Sequence, residues 1–192
     1  MPEAITSSPK AHHMASESPL KRPFSDKRTP RRHSTQAFII GSGRKETAVA
    51  KYTAREIAHY VIDTCTRDGR PISNLQLQKI LYFVQLEYCK QAGSLLFADE
   101  FEAWQYGPVL PDVYDEYSFF GGMRVEKTYA SVAQPAPEDK LIIDKVVVDK
   151  REKYPWDLVR IAHASGSPWD RAFRKGNGTV IPNSSLLAFC KE

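Results

Sequence analysis

Few residues of this sequence have the type and spacing that reactions demand. His163 precedes Asp170 on the far side of a Ser-Gly-Ser turn, and with Cys65, Cys89 or Cys190 the pair would supply the base, orienting acid and nucleophile of covalent catalysis. That chemistry also needs its nucleophile on a strained elbow or a glycine-flanked turn, and none of the three cysteines sits in one. His163 therefore reads as a helix-end histidine bonded to a backbone carbonyl and packed near Trp169. Glu102 beside Trp104 is a candidate carboxylate of raised pKa, although a glutamate in such a place more often satisfies buried N–H groups. There is no Gly-rich phosphate loop, no HExxH, no CxxC or Cys/His ligand spacing and no paired acids at active-site spacing. The expectation is a protein without catalytic activity, cofactor or metal.

What remains is recognition of another surface. Trp104, Tyr106, Gly107 and Pro108 fall in one short stretch, followed by Tyr114, Trp156, His163 and Trp169. Tyr and Trp desolvate a large rigid area at little entropic cost, which makes them the commonest anchors of protein interfaces. Any one of them is more often core, but so many rings near bends predict a groove that exposes some of them. The candidate protein-binding residues are Trp104, Tyr106, Gly107, Pro108, Tyr114, His163 and Trp169.

These residues must be positioned by a domain that occupies only part of the chain. The sequence has 192 residues, 42% of them hydrophobic and 11% aromatic, enough for one domain of about 140 residues and an appendage. The first fifty residues hold nine Lys/Arg against four acids, a net of +5; the whole-chain charge of +4 leaves −1 for residues 51–192. Positive charge is therefore a property of the tail, and the folded part has no electrostatic footprint for nucleic acid. Residues 1–48 are rich in Pro, Ser, Thr, Lys and Arg and poor in core formers, so a basic, disordered tail is expected before a domain spanning 49–192. Within the tail, Lys21, Arg22, Lys27, Arg28, Arg31 and Arg32 are weak candidates for phosphate contacts, and more often such a run only solubilises. Three widely spaced cysteines suit a reducing cytoplasm. No apolar run approaches the roughly 20 residues of a membrane span, and the N-terminus lacks the apolar core of a signal peptide.

Along the domain, Thr53-Ala54-Arg55-Glu56 and Ser73-Asn74-Leu75-Gln76 are capping boxes that start two helices. The first buries Ile57, Val61 and Cys65 and ends at Asp68-Gly69, leaving His59 off the stripe. The second runs to about Gln91 and is apolar on two sides, through Leu77, Leu81, Val84 and Tyr88 and through Ile80 and Phe83, which places it centrally. Gln78, Lys79 and Gln85 interrupt its apolar surface and read as a solvated edge. Phe101 to Tyr106 alternates, which suits an extended segment, with a helical turn nearly as favourable; Gly107-Pro108 breaks it. Pro111 opens a helix to Phe120, and a short strand is expected at 123–125. Pro137-Glu138-Asp139 is a helix start, but the Leu141 to Val148 run that follows is β-branched enough for a strand, and by itself it leaves the two open. Short helices follow at 156–163 and from Pro168, then an extended piece at 179–181 and a last helix capped by Asn183 or Ser184. The fold class is mainly α: a compact helical domain of six to eight helices with at most a small β-hairpin.

The run Leu77-Gln78-Lys79-Ile80-Leu81-Tyr82-Phe83-Val84-Gln85, then Leu96-Phe97, then Phe101-Glu102-Ala103-Trp104-Gln105-Tyr106-Gly107-Pro108-Val109 and Tyr114, resembles the signature of the Panacea domain, the SocA-like antitoxin family of toxin–antitoxin loci and prophages. His163, Pro168-Trp169 and Ile181 fall where that family has its second cluster. The resemblance covers about residues 53 to 190. It favours a helix for the Leu141 to Val148 run, and implies a cytoplasmic non-enzymatic protein and a cognate protein toxin as partner. It also implies alternatives: an adaptor that delivers the toxin to an ATP-dependent protease with the tail as tether, or, from the basic tail alone, a DNA-binding autoregulator.

Overall fold

The computed structural model describes residues 50–192. The expectations for the basic tail, including its phosphate-binding candidates, lie outside the described residues.

Both capping boxes form, because each needs only residues three apart in sequence. Thr53 Oγ1 accepts from the Glu56 amide while the Glu56 carboxylate accepts from Thr53 N–H, and α1 runs Ala54–Arg67. Ser73 and Gln76 repeat the exchange for α2, Asn74–Ala92, which ends on Gly93 in the left-handed region. A two-residue strand, β1 (Ile72–Ser73), precedes it. After α2 come β2 (Phe101–Trp104), β3 (Gly107–Val109), α3 (Pro111–Tyr117) with a 3₁₀ turn over Ser118–Phe120, and β4 (Arg124–Val125). Then follow α4 (Pro137–Arg151), α5 (Pro155–Ala162), α6 (Pro168–Phe173), β5 (Thr179–Ile181) and α7 (Asn183–Phe189).

Seven helices among the described residues match the mainly helical expectation, but the small hairpin is an underestimate. There are two sheets. One pairs β1 with β4, and the other is three antiparallel strands in the order β3-β2-β5. Trp104 pairs with Gly107, so Gln105 and Tyr106 form the tip of a hairpin, and Gly107-Pro108 continues as a strand instead of breaking it. The other edge of β2 pairs with β5, Phe101 opposite Ile181. Proline is tolerated in β3 because that strand is an edge. The Leu141 to Val148 run is helical: early acids at Glu138 and Asp139 and late bases at Lys150 and Arg151 suit a helix dipole, and Ile143, Val146 and Val147 turn inward. The last helix is not capped by Asn183 or Ser184. It begins at Asn183 with Pro182 before it, and the Asn183 side chain donates instead to the Ala98 carbonyl at 2.7 Å.

α2 is the axis. Helices α1, α3, α4, α5 and α7, and strand β3, pack on it, and Leu77, Ile80, Leu81, Tyr82 and Val84 are fully buried. Its first three turns are covered by neighbours and solvent reaches the helix only toward its C-terminal end, so Gln78, Lys79 and Gln85 are as buried as their apolar neighbours. That overturns the reading of those three residues. No helix among the described residues is long and apolar enough to cross a membrane.

Candidate functional site

Buried polar side chains must find partners or cost stability, and those of α2 find theirs in the aperiodic segment that follows it. Gln85 donates to the Phe97 carbonyl at 2.8 Å and accepts from the amides of Leu96 and Phe97. Gln78 accepts from the Leu110 amide at 2.9 Å and donates to Asn74, whose own amide reaches the Tyr114 carbonyl. Lys79 donates to the Pro108 carbonyl at 2.8 Å. Three side chains of one helix thus supply the backbone of residues 96–110 with the hydrogen bonds it cannot make regularly.

Lys79 is the extreme case, because complete burial pulls its ammonium down to about 7. Gly107 lies over its stem: a Cβ there would sit 2.8 Å from Lys79 Cε, at a φ of +102°. Only glycine meets both the close approach and the backbone conformation. His163 is also affected; burial first, then the charge of Lys79, lower its imidazole to about 4. Its Nε2 is buried without a hydrogen-bond partner. The ring instead stacks on Trp169, centroids 3.7 Å apart and planes within 2°, and Trp169 stacks in turn on Phe173.

The candidate binding residues therefore separate into two groups. Trp104, Gly107, Pro108, Tyr114 and Trp169 are interior, contrary to the expectation of rings in an open groove. The hairpin folds back over α2 and α6, so its rings meet one another. Trp104 packs edge-on to Tyr114 at 5.0 Å, its indole N–H bonds Glu102 at 2.9 Å, and its carbonyl accepts from the Trp169 indole at 3.0 Å. Glu102 thus satisfies an indole, as its simpler reading held. Tyr106 and His163 are half-buried, and Tyr106 meets Trp156 edge-on at 5.2 Å. Trp156 is at the surface, 37% exposed.

The cysteine, histidine and acid combination is not assembled as a reactive set. Burial raises the Cys65 thiol to about 11 and the Cys190 thiol to about 12, the opposite of nucleophile activation. Asp170 is committed to Arg174 and to the Gly166 amide.

Other apolar side chains reach solvent, and sequence reading missed them. Phe119, 90% exposed, and Met123 flank a glycine pair; Leu141 and Val148 lie two turns apart on α4, and Ile161 is exposed on α5. The seven-residue spacing of Leu141 and Val148 was the available signal, hidden inside a run in which every residue but Asp144 and Lys145 is apolar. A cavity of about 420 Å³ opens among α2, α4, α5 and α7, lined by Phe83, Leu86, Val146, Ile161 and Phe189, with Lys90, Lys145 and Lys150 and the acids Glu87 and Asp149 around it.

Residues 77–170 match the family described as Antitoxin SocA-like, Panacea domain. Over 139 residues the chain is 35% identical to Antitoxin SocA of Caulobacter vibrioides (strain NA1000 / CB15N), covering 67% of this chain and 73% of that protein. No solved structure matches. The matched span holds α2 with its buried Gln78, Lys79 and Gln85, the β2–β3 hairpin and the His163–Trp169 stack, and the chain belongs to the SocA-like antitoxin family of the Panacea domain.

Proposed function

We propose that this protein is an antitoxin that neutralises a cognate protein toxin by direct contact, in the cytoplasm and without chemistry of its own. The observation that carries this reading is the 35% identity to a protein named Antitoxin SocA across 73% of that protein's length. The organisation of the domain is consistent with it: buried polar groups hold the irregular segment on a central helix, which gives a rigid scaffold, while several large apolar side chains remain at the surface. Rigid apolar anchors lose little entropy when a partner covers them.

The test is co-expression with the product of the adjacent gene. Growth arrest by that product alone, relieved by this protein and accompanied by a complex that survives purification, is the expected result. An adjacent product that is harmless alone, or equally toxic with this protein present, would end the proposal. The toxin's half-life in the rescued cells separates occlusion, which leaves it unchanged, from delivery to a protease, which shortens it.

A further inference from the structure

The cavity among α2, α4, α5 and α7 has an apolar floor and a rim on which Lys90, Lys145 and Lys150 outnumber Glu87 and Asp149. Lys90 and Lys145 stand on that rim, and neither carries a salt bridge among the described residues. Asp149, also on the rim, is shared between Lys150 and Lys153 and does not neutralise them. The apolar surface extends past the opening. Ile161 is 39% exposed within the cavity wall, and on α4 Lys145 sits between Leu141 and Val148, which are 74% and 53% exposed. Tyr82, another wall residue, keeps a buried hydroxyl without a hydrogen-bond partner.

We propose that this cavity is the docking site for an apolar segment of the toxin flanked by carboxylates; the inference rests on the antitoxin reading and names its contact surface. Charge selects the occupant. The lysines exceed the acids of the rim, Glu87 and Asp149, and that excess favours an acidic partner and disfavours the chain's own first fifty residues, whose net charge is +5. Extent argues the same way. A small amphipathic acid would fill about 420 Å³ but leave Leu141 and Val148 bare, whereas a chain segment covers cavity and stripe together.

The test uses the full chain and the co-expressed product of the adjacent gene, with Kd measured by calorimetry. Ile161→Asp should weaken binding at least about tenfold, as loss of a central anchor does. Lys145→Glu should weaken it and flatten its salt dependence, and Phe119→Ser, on a remote exposed ring, should leave it unchanged. Where Ile161→Asp lowers Tm appreciably, the exposed Lys145→Glu decides. A toxin bound equally by wild type, Ile161→Asp and Lys145→Glu overturns this site and leaves the antitoxin reading standing; wild type that binds no toxin overturns both. A small carboxylic acid released on denaturation and seen by mass spectrometry, with toxin binding indifferent to both variants, would make the cavity a metabolite site and also overturn the proposal.

Discussion

The Lys79 side chain passes directly beneath Gly107 and ends on the carbonyl of Pro108, 2.8 Å from its Nζ. One amine in a dry interior thereby holds the strand that closes the hairpin, and most of what can be tested about the scaffold starts from it.

Lys79 should make stability depend on pH in the mildly alkaline range. Unfolded, the amine titrates near 10.5; folded, burial brings it to about 7. Between those values folding releases a proton, so the unfavourable contribution of the buried charge is full below about 7 and fades as pH rises toward 10.5. Wild type should therefore gain stability relative to Lys79→Met as the buffer moves from about pH 6.5 to about 9.5. Thermal denaturation of both across that range is the measurement, and parallel curves would refute the effect.

Gly107→Ala should cost about 1–3 kcal/mol from its positive φ alone, and more from the contact with Lys79 Cε. Lys79→Ala in the same chain removes the contact but not the backbone strain. The double variant should lose less than the sum of the singles, by about 0.5–3 kcal/mol in urea denaturation; strict additivity would mean the two residues do not touch.

His163 should resist protonation. With its imidazole lowered to about 4, its stabilising contribution is present above the ordinary value of 6.5 and is lost as pH falls from there through about 4. His163→Phe keeps a ring against Trp169 and should flatten that part of the acid profile. NMR titration of the ring resonance reads the pKa directly; a midpoint near 6.5 would contradict the burial argument.

Asp139 ties the entry of the domain to α4. Burial works to raise its carboxyl, but hydrogen bonds from Tyr52, at 2.8 Å, and from Lys51, at 3.1 Å, outweigh it and hold the group below the usual range. Its contribution is therefore present above 3.8 and disappears as pH falls through its lower folded value. Asp139→Ala should cost about 1–3 kcal/mol near neutrality, because it leaves the part-buried Tyr52 hydroxyl without its acceptor. Chemical denaturation measures this, and an unchanged midpoint would show the link to be ornamental.

Elements whose cause is local were legible in the sequence. The capping boxes at Thr53 and Ser73 depend on residues three apart, and Pro111, Pro137 and Pro168 mark helix starts by their own geometry. Legibility ended where the cause was distant. Whether Lys79 meets water or the Pro108 carbonyl depends on a segment 29 residues away, and polar type alone argued for water. The rings of Trp104, Tyr114 and Trp169 are of the kind that anchors interfaces, yet hairpin closure spends them on each other. Ile161 and Val146 became a cavity wall only when α4, α5 and α7 were set around α2.

The pairing of α2 side chains with backbone that follows much later also constrains how the chain acquires its structure. A central helix completed ahead of residues 96–110 would strand an amine and two carboxamides in a drying interior, so neither part can consolidate without the other. Collapse of the helix and capture of the hairpin should be a single kinetic event, and substitutions at Gln78 or Gln85 should slow refolding as well as hasten unfolding.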